Sequence, residues 1–357
     1  LFSSHNYSSF NLWKLFCIQT EKTKSKKALK IVIIIVAVIC LFLLGIRAYF
    51  RLPVAEYYRN SEKSFLIPGI SDGAVLQGLE YANGKFLVCG YMSDGSASKI
   101  YVVDGKNNST EKKLLLQKED GSAYTGHAGG VAVNGKYVYV ADGSDKCLYV
   151  YLLADIDAAS DGGSVKSIGC FSTLVSETDY LSPAFVTVAD GKVFVGEFYR
   201  EENYKTPDTH KIKTASGDEN PAIIIAFESD ESAPYGISQK ISEVYSVRGL
   251  VQGMAVTEDR IYLSTSYAVA FSHIYTYDKK SPADGGTLSV LGQTAKLYVL
   301  DTPVADTKIA PMSEEIVVVN GRLYVMCESA TNKYIFGKLT GARYCYATDI
   351  KALEGGK

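Results

Sequence analysis

An excess of charge of either sign is what the 357-residue sequence lacks most plainly: 37 Lys and Arg stand against 39 Asp and Glu, a formal net charge of -2. No global field gathers a nucleic-acid backbone, so nucleic acid is not an expected partner. Cysteine is sparse, with seven residues and no CxxC pair. Cys17 and Cys40 fall before or inside an apolar run, and the odd number downstream cannot all pair within one chain. Cys147 with Cys170, or Cys327 with Cys345, could bridge neighbouring strands; the alternative is buried free thiols. No GxSxG, HExxH, P-loop or EF-hand pattern occurs. The 47% hydrophobic content nonetheless supplies a folded core.

Charge is absent altogether from Ile31 to Ile46, IVIIIVAVICLFLLGI. With Ala28 and Leu29 before it and Ala48, Tyr49 and Phe50 after it, the run approaches the ~20 residues that cross a ~30 Å hydrocarbon layer as a helix. A soluble core helix would keep a polar stripe, and a cleaved signal peptide would show a small-x-small site where Arg47-Ala48-Tyr49-Phe50-Arg51 stands. Lys22, Lys24, Lys26, Lys27 and Lys30 crowd the N-terminal flank. The positive-inside rule then predicts a cytoplasmic N-terminus and an extracytoplasmic remainder. The expected organisation is a cytoplasmic segment over residues 1–28, a signal-anchor helix over 29–50, a linker over 51–63 and a folded domain over 64–357. Residues 1–28 open on Leu1 without a clear period, and are expected to be disordered or read in from upstream of the true start.

The domain repeats itself. Apolar strand, Asn/Asp-Gly turn and apolar strand recur as QGLEYANGKFLVCGY from Gln77, GGVAVNGKYVYVADG from Gly129 and PAFVTVADGKVFVGEFY from Pro183. Weaker copies are VQGMAVTEDRIYLSTSY from Val251 and EEIVVVNGRLYVMCES from Glu314. Such turns supply the positive φ of a type I′ hairpin. Third strands follow from Ser98, Lys146, Ala222, Ser272 and Arg343, and fourth strands are expected at residues 112–117, 164–171 and 297–300. The predicted fold is therefore all-β: a propeller of about five four-stranded blades, six being possible, preceded by a single transmembrane helix. SFLIPGI, from Ser64, is expected to complete the last blade. The polar stretch 200–221 reads as a loop over one face or as a solvated insertion.

At KYVYVADGSDKCLYVYLL, from Lys136, the sequence resembles the YVTN-type and lactonase-like bacterial propeller repeats. That resemblance implies the fold, and it implies a hydrolase or lyase activity as one possibility. It departs from the family in its longer period and in lacking a regular signature tetrapeptide. Quinone-dependent propellers use tryptophan-docking motifs, whereas the one Trp here, Trp13, lies outside the domain.

Residues just before each innermost strand ring one channel mouth, which makes Gln77, His127, Ser182, Gln252, Ser313 and Glu314 the candidate ligand contacts. Gln-Gly recurs at Gln77 and Gln252, either as donors and acceptors for a ligand or ion, or as glycine for close packing with glutamine satisfying backbone. His127 and Glu314 are the catalytic candidates, in acid-base or metal-binding roles, with Glu80 and Glu197 as further carboxylates. A calcium site would need several converging oxygens, and strand alternation lets only one of Glu314 and Glu315 face inward. No cofactor is predicted beyond a possible divalent metal. The 26 tyrosines lie mostly in alternating strands, where packing explains them. Asn108-Ser109-Thr110 fits a glycosylation acceptor. The expected function is a membrane-anchored extracytoplasmic propeller that binds or scaffolds a small molecule, glycan or protein at its mouth. Its rival is a lactonase-like hydrolase or lyase.

Overall fold

The computed structural model describes residues 9–334 and 337–354, with side chains described from residue 26 onward. Two compact units divide at Tyr49 and Phe50. The first is one helix, Ser9–Arg51 as an element, long and apolar enough to cross a membrane. Its Ile31, Ile34, Leu41 and Phe42 are each more than half exposed, so no protein core covers them.

The second unit is a five-bladed β-propeller. Blade 1 orders Ala74–Ala82, Lys85–Met92, Lys99–Asp104 and Thr110–Gln117, and Ser164–Lys166 extends it in parallel. Blade 2 uses Val131–Asn134, Tyr137–Asp142, Cys147–Leu152 and Gly169–Ser172. Blade 3 uses Pro183–Ala189, Lys192–Glu197, Ala222–Ser229 and Ile237–Val247, and blade 4 uses Val251–Val256, Arg260–Thr265, Ser272–Asp278 and Ala305–Ile309. Blade 5 takes Ser313–Val319, Arg322–Cys327 and Tyr344–Asp349 from the C-terminal part of the chain and Ser61–Leu66 from the start of the domain. That last strand runs antiparallel to Tyr344–Asp349 and latches the ring, so no blade is left with an open seam. Ahead of it, Leu52–Val54 and Ala55–Arg59 form short helical turns, and Tyr57 is buried with Tyr346.

Each of the five gaps between blades holds its own apolar cluster, so burial is shared around the ring. Alternation along the strands gives each blade two apolar faces, one for each neighbour, and that is why the repeats are so rich in Val, Ile and Tyr.

Two local departures have physical causes. Asn83-Gly84, Asp190-Gly191 and Asn320-Gly321 have both residues at positive φ, as type I′ demands. In blade 2, Asn134 instead pairs with Tyr137, and only Gly135 of the turn has positive φ. Asn134 is held out of the turn because its amide donates to Gly236 O at 3.0 Å and to Tyr139 Oη at 3.1 Å, tying blade 2 to blade 3. Residues 297–300 do not form the edge of blade 4. The hairpin Ala283–Val290 and Gln293–Val299 crosses back to extend blade 3, pairing in parallel with Ile237–Val247. Val290 and Leu297 are buried there among the residues between blades 2 and 3, which draws the hairpin to that side. The wide interval between the third and fourth hairpins is filled by an 11-residue strand, Ile237–Val247, and the 200–221 loop. Among the residues whose side chains are described, the cysteines are free thiols, Cys89, Cys147, Cys327 and Cys345 buried and Cys40 and Cys170 exposed.

Candidate functional site

At the mouth where the innermost strands begin, the backbone is strained. Ala128, Leu250 and Met312, each just ahead of such a strand, hold φ of 49°, 65° and 64°. Side chains avoid that region at a cost of ~1–2 kcal/mol, so the packed ring must enforce it.

Three blades contribute to one polar cluster there. Gln77 sits at a bulge in blade 1, and its Nε2 donates to Glu328 Oε2 at 2.7 Å. Its Oε1 lies 2.8 Å from His127 Nε2, at the approach to blade 2. Because the amide nitrogen is committed to the carboxylate, the oxygen faces the imidazole, and His127 carries its proton on Nε2. Glu328 directly follows the second strand of blade 5, opening the turn Glu328–Ala330, and also accepts from Tyr334 Oη at 2.8 Å. Tyr91 stacks on His127 with ring centroids 4.6 Å apart, and Lys333 Nζ lies 4.7 Å from the Tyr91 centroid while donating to its hydroxyl.

Burial sets the protonation states. Desolvation pushes Glu328 up to about 7 against the opposing pull of Tyr334, Lys333 and Gln77. Glu314 is pushed well above the carboxylate range by burial, then by Glu328 and Glu315 beside it. His127 moves below its ordinary value, through burial first and the Lys333 charge second. Burial therefore favours the protonated carboxyl at Glu314 and the neutral imidazole at His127, while Glu328 titrates at about 7.

Glu314 and Glu315 are both buried. A register shift between Ser313 and Ile316 breaks the alternation that would have set them on opposite faces. Glu315 fills the hub: its carboxylate accepts from Leu79 N at 2.7 Å, Val131 N at 2.8 Å and Val186 N at 3.2 Å, one backbone group from each of blades 1, 2 and 3. Glycine is required beside it, since a Cβ on Gly130 would meet Glu315 Oε1 at 2.6 Å and one on Gly253 would meet Glu315 Cα at 2.6 Å. Below Glu315 the channel opens into a cavity of about 220 Å³ lined by Glu80, Val131, Val186, Val256 and Val317. Glu80 looks into it, and the dense surrounding protein pushes its carboxyl up to about 7.

The remaining sequence candidates do not join the cluster. Ser313 Oγ pairs with Ser264 Oγ at 2.7 Å, Gln252 reaches Ser266 Oγ at 3.5 Å, and Ser182 is half-buried beside Gly143. Glu197 lies at the end of the second strand of blade 3, where its Oε2 meets His210 Nδ1 at 2.9 Å and accepts from Ile223 N at 3.2 Å. His210 is 1% exposed, so the 200–221 loop is pinned to the blade rather than solvated throughout. Among the described residues, no three His, Cys, Asp or Glu side chains gather as a metal site would require.

Sequence reasoning missed Glu328, Tyr334, Lys333 and Tyr91. A usable signal existed for the first: an acid stands at or just after the end of the second strand in three blades, Asp142, Glu197 and Glu328, in VYVAD, VFVGE and YVMCE.

No protein-family model matches the chain, and no curated protein matches it. Solved structures similar to it include a glutaminyl cyclase of Myxococcus xanthus (11% identity, 78% of this chain and 90% of that one, TM-score 0.39). Another is the PQQ-bound aldose sugar dehydrogenase of Streptomyces coelicolor (15% identity, 74% and 76%, TM-score 0.39). BamB from Moraxella catarrhalis is a third (9% identity, 71% and 83%, TM-score 0.32). The resemblance to YVTN-type and lactonase-like repeats thus stands at the level of the propeller fold, which the sheet topology itself establishes.

Proposed function

We propose that the chain is a membrane-anchored propeller, N-terminus cytoplasmic and ring extracytoplasmic, that binds a small polar molecule or a glycan at the Gln77–His127–Glu328 mouth. One observation carries this reading: side chains from blades 1, 2 and 5 are hydrogen-bonded to one another at the mouth. Desolvating an amide, an imidazole and a carboxylate costs folding free energy that an apolar plug would not. Carboxylate and amide oxygens suit ligand hydroxyls, and the Tyr91 and Tyr334 rings suit the apolar face of a sugar. The lysine-dense flank of the apolar helix supports the orientation.

The test is calorimetric titration of the full chain in nanodiscs with a panel of polar metabolites and oligosaccharides. Glu328→Gln and Gln77→Ala are expected to weaken binding of the responding ligand about tenfold or more, a loss of ~1.4 kcal/mol. Unchanged affinity in both variants, or no ligand across the panel, contradicts the reading.

A hydrolase or lyase is the second reading, favoured by Glu328 poised at about 7 two hydrogen bonds from a neutral His127. Turnover of a lactone panel, with and without added calcium, that His127→Ala abolishes would establish it over simple binding.

A further inference from the structure

The loop joining the second and third strands of blade 4 reads Ser266-Tyr-Ala-Val-Ala-Phe271, with no charge in it. Tyr267, Ala268, Val269 and Ala270 are all exposed, Val269 to 52%, and Ala268 at φ 51° makes the tip tight. A water-facing loop ordinarily carries polar residues, so an apolar tip calls for a covering phase. Its neighbours say which. The Phe271 ring packs edge-on against Phe50, centroids 6.2 Å apart. Leu52, two residues further on, is 71% exposed. Cations border the patch: Arg200, which also pairs with the exposed Glu202 at 3.1 Å, lies 4.0 Å over the Tyr267 ring, and Lys308 lies 5.6 Å from the Phe271 ring.

Phe50 follows the last residue of the uncharged run, Ile46, by four positions. At ~1.5 Å per helical residue that is ~6 Å of chain, less than the depth of a headgroup layer. We infer that the blade 4 rim, Tyr267 to Phe271 together with Leu52, seats in the interfacial layer of the bilayer, with Arg200 and Lys308 meeting lipid phosphates. Aromatic and small apolar residues backed by cations are the composition such interfacial contacts take. The inference rests on the apolar helix being a membrane anchor. It adds that the ring meets the membrane by one rim rather than standing clear of it.

The experiment uses the full chain with Trp13→Phe, which removes the only native Trp. Val269→Trp places a reporter on the loop tip, and Lys136→Trp places one on an exposed turn at the other end of the strands. In proteoliposomes containing brominated lipids, Val269→Trp fluorescence is expected to fall about twofold or more while Lys136→Trp fluorescence is unchanged. Equal, weak quenching at both positions overturns the inference while leaving the anchor intact. Shielding of Val269→Trp from aqueous acrylamide without lipid quenching also overturns it, in favour of a protein cover. Release of the chain by alkaline carbonate removes the anchor itself, and is read separately from quenching.

Discussion

Glu315 shows how one side chain can hold a ring together. Three backbone N–H groups from three blades converge on its carboxylate, and each would be stranded in a buried hub without it. Glu315→Ala is expected to cost at least ~3 kcal/mol, from ~1 kcal/mol or more per orphaned donor. Calorimetry should record that as a drop of ~6 °C in Tm. Glu315→Gln should cost less, since its amide oxygen still accepts two of the three. Glu328 makes a prediction about pH. Its carboxyl titrates at about 7 in the folded chain against an ordinary 4.5, so between those values the native state binds more protons than the unfolded one. Its contribution to stability is therefore complete below ~4.5, lost as pH rises through ~7 and flat above. His127 works in the opposite direction, its lowered pKa adding stability as pH rises through the ordinary imidazole range. The comparison that isolates Glu328 is wild type against Glu328→Gln: the Tm difference should shrink or reverse between ~pH 5 and ~pH 8, and a constant difference would contradict the assignment.

Among the elements, the latch strand and the pinned loop carry separate consequences. Phe65, in the latch, is 1% exposed and packs 4.9 Å from the Phe86 ring of blade 1, so Phe65→Ala removes core from the seam. A loss of ~3–5 kcal/mol is expected in denaturant unfolding. His210→Ala leaves Glu197 without its imidazole partner and frees the 200–221 loop. Limited proteolysis should then cut within that loop while the rest of the ring resists, whereas an unchanged pattern would show that other contacts hold it. These elements also mark what the sequence makes legible. Hairpins with Asn-Gly or Asp-Gly turns announce themselves through local backbone chemistry, and so does the latch strand once a blade is short of one. The hairpin of Ala283–Val290 and Gln293–Val299 does not, because its position beside blade 3 depends on a gap that Val290 and Leu297 fill across a long sequence separation. Likewise Gln77 and His127 were visible from their place before innermost strands. Glu328 was not, because it follows the end of a strand and meets Gln77 only when the first and last blades close on each other.

At the scale of the whole molecule, the propeller brings residues at the two ends of the domain to one mouth, and the proposed binding there would depend on that closure. The proposed anchor makes a prediction of its own: replacing Lys22, Lys24, Lys26, Lys27 and Lys30 with Glu should let a fraction of chains insert with the ring on the cytoplasmic side, read by protease protection in vesicles. The claim on which the site stands is the contact between Gln77 and Glu328, 251 residues apart in sequence. A double-mutant cycle with Gln77→Ala, Glu328→Ala and their combination measures it directly in unfolding free energy. The closed ring predicts a coupling of ~1–2 kcal/mol between the two positions, and additive losses within ~0.3 kcal/mol would contradict it.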